Sequence, residues 1–179
     1  MDTAIAVVPM GLGHLRQVLD LGHQVFDTTI KPYTSWSLTA VAEHLDSPDN
    51  ACWVALDSDR VVGFVLGSME FEHRDDWAYL EWIAVAPDMR GHGIARRLVN
   101  VCSEALFARG ARHIVTDVED RNSASAALMT SNGFVPAATV TLLVRPNPAA
   151  PDDDAAALPP ITKRDLVRRG RLSIEHPLR

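Results

Sequence analysis

Apolar positions recur along the chain at two periods, and the switches between them mark its elements. Ala4 to Val8 is a short apolar run that predicts a first strand. From Leu12 to Phe26 the spacing becomes helical, with Leu12, Leu15 and Leu19 on one stripe and Val18, Val25 and Phe26 beside it. Ile30 to Trp36 reads as a loop, broken by Pro32. Ser37 is placed to cap a second helix running to about Leu45, and Asp46 to Asn50 is a turn. Ala51 to Leu56 and Val61 to Met69 predict a hairpin across Asp57-Ser-Asp-Arg60. An acidic loop, Glu70 to Asp76, leads to a long β-prone stretch, Trp77 to Val85. Helical spacing returns at Ile94, Leu98, Val101 and Ala105, and that helix extends to about Arg109. His113 to Val118 predicts a fifth strand, and Asn122 a cap for a short helix stopped by Asn132-Gly133. Strand-like sequence resumes at Phe134 and ends in Val140 to Arg145.

The predicted order is β-α-α-β-β-β-α-β-α-β. Three consecutive strands argue against a doubly wound sheet and for a mixed α/β architecture. The pattern ends near residue 145, so residues 1–145 form one domain. Pro146 to Pro160, rich in Pro, Ala and Asp, reads as a linker. Residues 161–179 form a basic tail, in which Arg171-Leu-Ser-Ile-Glu175 could dock as an extra strand.

Hydrophobic residues make up 47% of the 179, enough for a substantial core. The net charge of −6 argues against general affinity for nucleic acid or an anionic membrane. Cys52 and Cys102 lack metal spacing and suit buried thiols in a reducing cytoplasm. No secretory leader and no apolar run of bilayer length is evident, so a cytoplasmic protein is expected.

Against that acidic background, one short run is locally cationic. After Ile83-Ala-Val-Ala-Pro87 comes Arg90-Gly-His-Gly-Ile-Ala95, then Arg96 and Arg97. A strand ends, a glycine turn follows, and a helix begins. Such a turn aims main-chain N–H groups at whatever lies before the helix, which favours phosphate. Gly91 and Gly93 carry no Cβ, so a ligand can approach the backbone closely. A dinucleotide fingerprint would need G-x-G-x-x-G after an early strand, and a P-loop would need Gly-Lys-Ser/Thr; neither is present.

Arg90-x-x-Gly93-x-Ala95, with Asn122-Ser-Ala-Ser-Ala-Ala-Leu128 and Asn132-Gly-Phe134 downstream, resembles the GCN5-related N-acetyltransferases over residues 4–145. Within the family the nearest resemblance is to enzymes that acetylate protein α-amino groups, including ribosomal-protein acetyltransferases. The resemblance implies a central, mostly antiparallel sheet splayed between its fourth and fifth strands and flanked by helices. It implies acetyl-CoA as cosubstrate and no metal. Ile83, Ala84 and Val85 would meet the pantetheine arm through their backbone, and an N–H near Ile83 would polarise the thioester carbonyl. Arg90, Gly91, His92, Gly93, Ile94 and Ala95 would hold the diphosphate, with Arg96 or Arg97 as added charge. Asn122 would contact the cofactor arm or cap its own helix.

Amide formation needs a neutral amine, and free amines have pKa values of about 8 (α-amino) to about 10.4 (Lys-like), so a base should help. Glu81 and Asp117 are the candidates, one on each splayed strand. Strand alternation would put Glu81, Ile83 and Val85 on one face. Where the family commonly has a tyrosine to protonate the leaving sulfur, this chain has Met129. Water, Tyr79 or Ser125 would have to supply that proton; expelling thiolate at pH 7 costs only about 2 kcal/mol relative to thiol. The substrate side would be lined by Tyr33, Trp36, Glu70, His73 and Tyr79, with Glu72, Asp75 and Asp76 in the same acidic loop. The leading expectation is acetyl transfer to a primary amine, either a protein N-terminus or a small amine. The alternative is a CoA-binding regulatory or scaffold module, suggested by Met129. A homodimer is left open as the assembly.

Overall fold

A computed structural model describes residues 4–26, 36–69, 71, 74–141 and 145. In order they form β1 (Ala6–Pro9), α1 (Leu15–Val25), α2 (Leu38–Asp46), β2 (Trp53–Asp57), β3 (Arg60–Ser68), β4 (Trp77–Val85), α3 (Ile94–Ala108), β5 (His113–Val115) and α4 (Ser123–Ser131). The strands make one five-stranded sheet in the order β1-β2-β3-β4-β5. β1 to β4 are antiparallel neighbours. β5 joins β4 in parallel, as it must when a helix, α3, carries the chain back between them. The mixed α/β expectation holds.

Burial explains why the central strands lack a clean polar-apolar alternation. Nearly every residue of β3 and β4 is buried, because both faces of the sheet are covered. Trp36, Phe26, Phe64 and Trp82 form one aromatic layer beneath α1, with ring centroids 4.9–6.1 Å apart. On the other face Leu98, Val99, Cys102 and Leu106 of α3 are fully buried. Glycines let this layer come close. A Cβ at Gly63 would lie 3.1 Å from Ile94 and Leu98, and one at Gly67 would lie 2.8 Å from the Cys102 sulfur. Both cysteines are free and buried, and burial pushes the Cys52 thiol up to about 11 and that of Cys102 higher still.

Helix ends follow their predicted signals. The Ser37 hydroxyl accepts from Ala40 N at 3.2 Å, and Asn122 Oδ1 accepts from Ser125 N at 3.1 Å. Gly133 takes a positive φ of 88° just past α4. Two predicted strands differ. His113 to Val118 is strand only to Val115, because pairing with β4 stops at Tyr79. The described residues from Phe134 to Thr141 pair with no strand, and Val135 and Val140 are exposed. The linker and the basic tail with its docked strand lie outside the described residues. No helix among the described residues is long and apolar enough to cross a membrane.

Gly22 in α1 tests this packing. Alanine ordinarily stabilises a helix over glycine by roughly 0.5–1 kcal/mol. Here a Cβ would lie 2.0–2.4 Å from the Trp36 ring. Gly22→Ala is therefore expected to destabilise the fold by about 3 kcal/mol, read from the urea midpoint at unchanged m-value.

Candidate active site where two strands part

β5 pairs with β4 only at Trp77, Ala78 and Tyr79. Beyond Tyr79 no described strand pairs with that edge of β4, so its main chain from Glu81 to Val85 is left facing the gap. Ile83 and Val85 are half-buried there and Ala84 is buried. The strand then runs through a single 3₁₀ turn, Pro87–Met89, into the glycine turn and α3.

The turn needs its glycines. Gly91 and Gly93 have φ of 83° and 71°, a region side chains with a Cβ rarely adopt. A Cβ at either would meet no heavy atom within 4 Å, so the space in front of the backbone is open. No side chain caps α3 at Gly93, which leaves its first-turn N–H groups directed outward. Arg90 and Arg96 are exposed beside this opening. Arg97 is engaged elsewhere, donating to Ile5 O at 2.9 Å. The His92 ring folds back on the turn, its Nδ1 3.0 Å from Arg90 O. Arg60 and Asp88 brace the same turn through two parallel contacts of 2.8 and 2.9 Å, and the Arg60 hydrogen bonds hold the Asp88 carboxyl below its usual range. An open, uncapped, cationic helix start suits the diphosphate of a CoA thioester.

The carboxylates lie where the strands part. Leu66 pairs with Trp82, but Gly67 pairs with Leu80, so Glu81 is the extra residue of a β-bulge. The bulge corrects the expected alternation. Glu81 turns from the face of Ile83 and Val85 toward α2, where its Oε2 lies 2.8 Å from His44 Nε2. Asp117, just past β5, accepts a hydrogen bond from the Tyr79 hydroxyl. Burial, with the charges of Asp117 and Glu81, raises the Tyr79 hydroxyl well above its ordinary 10.0. Tyr79, Glu81 and Asp117 thus form one electrostatic group, and Tyr79 keeps its proton.

Other expected site residues fall elsewhere. Trp36 is a core aromatic whose Nε1 donates to Leu19 O at 2.9 Å. Asn122 spends its side-chain oxygen on capping α4. Met129 is buried in the core and offers no proton. Tyr33, Glu70, Glu72 and His73 lie outside the described residues. Sequence reasoning missed His44, Asp88 and Arg60. His44 carried a signal: it sits three residues after buried Val41, on the apolar face of α2.

The model of the acetyltransferase (GNAT) family matches residues 22–134, well over half of the chain and spanning both the glycine turn and α4. The chain belongs to the GNAT acetyltransferase family. It is 33% identical over 84 residues to N-alpha-acetyltransferase 30 of Schizosaccharomyces pombe, covering 46% of this chain and 55% of the relative. It is 34% identical over 80 residues to L-2,4-diaminobutyric acid acetyltransferase of Shouchella clausii, covering 45% and 44%. The chain thus spans about half the length of the curated relatives it matches. Among solved structures, the aminoglycoside N-acetyltransferase AAC(6')-Iy in complex with CoA superposes with a TM-score of 0.67 at 20% identity, over 79% of this chain and 95% of that one. The NatC complex bound to Gag peptide and CoA gives 0.65 at 20% identity, over 73% and 84%. These likenesses show the GNAT fold.

Two outcomes are expected. Replacing Gly91 and Gly93 together by Asp places like charge and strained φ angles in the cradle; acetyl-CoA binding by calorimetry should be lost while the far-ultraviolet circular dichroism stays native. Tyr79 stays protonated in the folded chain at pH values where the unfolded chain ionises it. Stability should therefore fall as pH rises above about 10, and the fall in Tm between about pH 9 and 11 should be smaller in Tyr79→Phe.

Proposed function

We propose that this GNAT protein transfers an acetyl group from acetyl-CoA to a primary amine by direct attack, with Glu81 as the base. One observation carries the reading: the open glycine cradle and the bulged carboxylate of Glu81 lie along the same length of β4. Acetyl-CoA supplies the activated thioester. In this reading main-chain N–H groups from Arg90 to Ala95 bind its diphosphate, with Arg96 adding charge. The unpaired edge at Ile83, Ala84 and Val85 aligns the arm, and the Ile83 N–H polarises the carbonyl.

Glu81 and Asp117 draw the ammonium group toward the gap. Glu81 takes one proton from it, directly or through water, and the neutral amine can then attack. Asp117, with one oxygen engaged by Tyr79, orients the amine. The attacking nitrogen then gives up its second proton through water or the Ser125 hydroxyl, which relays it to the departing sulfur, since Met129 has none to give and Tyr79 holds its own. The curated relatives are acetyltransferases, which favours turnover over a regulatory CoA-binding module.

The likeness to N-alpha-acetyltransferase 30 supports a protein N-terminus as acceptor, and the likeness to the diaminobutyric acid enzyme supports a small amine. The free, buried thiols suit a cytoplasmic setting. The net charge of −6 favours neither a membrane nor a nucleic-acid partner.

A thiol-release assay with free-amine tetrapeptides, spermidine, 2,4-diaminobutyrate and kanamycin identifies the acceptor class. With the best acceptor, Glu81→Gln should lower kcat by about 10²–10⁴-fold and leave acetyl-CoA affinity unchanged. Asp117→Asn should act mainly on the amine KM. Wild-type kcat in Glu81→Gln would remove Glu81 from this role.

A further inference from the structure

We propose that His44 is a positioning residue for Glu81, holding one carboxylate oxygen so that the other faces the amine. The inference rests on the reading of Glu81 as base and concerns a residue outside the glycine turn and the splayed strands.

The pair is buried almost completely. The side chains of His44 and Glu81 are 2% and 3% exposed. A lone carboxylate at that depth would be strongly disfavoured, and removing one partner of a buried pair leaves the other uncompensated. The bulge makes the partnership possible. Regular alternation would aim Glu81 at the α3 face, whereas the extra residue turns it to α2. α2 is in turn fixed by its Ser37 cap and by buried Val41, one turn before His44.

His44 is a costly choice for a purely structural position. Its Nδ1 is buried and has no hydrogen-bond partner among the described residues. A buried polar atom without a partner is destabilising, and a leucine would fill the site without that penalty. Among the described residues, the ring's one polar contact is to Glu81. At 2.8 Å it is within hydrogen-bond range, although the ring N–H is not aimed straight at Oε2. Such contacts commonly tighten when substrate is bound.

The consequence is directional. With His44 against Oε2, the amine proton goes to Oε1. The ammonium loses one proton, Glu81 gains it, and His44 keeps its proton count throughout. Glu81 returns the proton to solvent after the amide has left. The Tyr79 hydroxyl is given to Asp117 and not to Glu81.

The test uses the full chain with acetyl-CoA and the best amine from the thiol-release panel. His44→Leu keeps the volume and removes the donor. His44→Gln places an amide N–H near the position of Nε2, whereas His44→Asn falls short of it. His44→Leu and His44→Asn should each lower kcat by about 10–100-fold with acetyl-CoA KM within about twofold of wild type, and His44→Gln should recover to within about fivefold. The double variant His44→Leu/Glu81→Gln should be no slower than Glu81→Gln alone. In the ligand-free protein, the ring ¹⁵N resonances of His44 should move on Glu81→Gln. Wild-type kcat in His44→Leu, additive losses in the double variant, or a glutamine as poor as asparagine would each overturn the proposal. Should the leucine variant not fold, the glutamine–asparagine comparison and the ¹⁵N shifts decide it alone. Full activity in Glu81→Gln with a moving His44 resonance would instead sink the base assignment and leave the contact standing.

Discussion

The brevity of the β4–β5 pairing governs the rest of this molecule. Three residues of β5 meet β4, and then the strands part. A strand edge buried without partners is costly, because each unpaired peptide group loses its water. Among the described residues no strand pairs with β4 beyond Tyr79, and in the proposed reading that edge is where the cofactor arm would lie. The groups proposed to meet the cofactor and the amine lie along or at the ends of that edge. The glycine turn closes one end, and Tyr79 and Asp117 sit where pairing stops.

The bulge at Glu81 is the second constraint, and it acts through the first. An extra residue bends β4 and re-aims its side chains just past the last β5 contact. Leu80 then pairs with Gly67, while Glu81 points to α2. The small residue at Gly67 matters here, since Cys102 of α3 already occupies the space a Cβ would need. Packing on the α3 face and the carboxylate on the α2 face are thus set by one local irregularity.

Charge is distributed to match. The cationic groups Arg90 and Arg96 sit exposed at the start of α3, and the acidic groups Glu81 and Asp117 sit toward the other end of the gap. An anionic cofactor and a cationic acceptor would be drawn to opposite ends. The forked Arg60–Asp88 pair braces the turn from outside the gap, and its exposure makes it a geometric aid more than a source of stability.

Much of this was legible in the residues alone. Helical and strand periods located the long elements, and Ser37, Asn122 and Gly133 marked helix ends, because these signals act within a few residues. The glycine turn was legible for the same reason: two glycines between a strand and a helix leave few backbone options. Tertiary structure decided what depends on partners distant in sequence. His113 to Val118 has the composition of a six-residue strand, yet only three residues find a neighbour. Strict alternation placed Glu81 with Ile83, and a bulge fixed by pairing with β3 moved it to His44. Trp36 looked like a loop aromatic facing substrate, and packing against Gly22, Phe26, Phe64 and Trp82 made it core. Periodicity records which way a side chain would point on a regular element; only the neighbouring strands and helices determine where the element stops being regular.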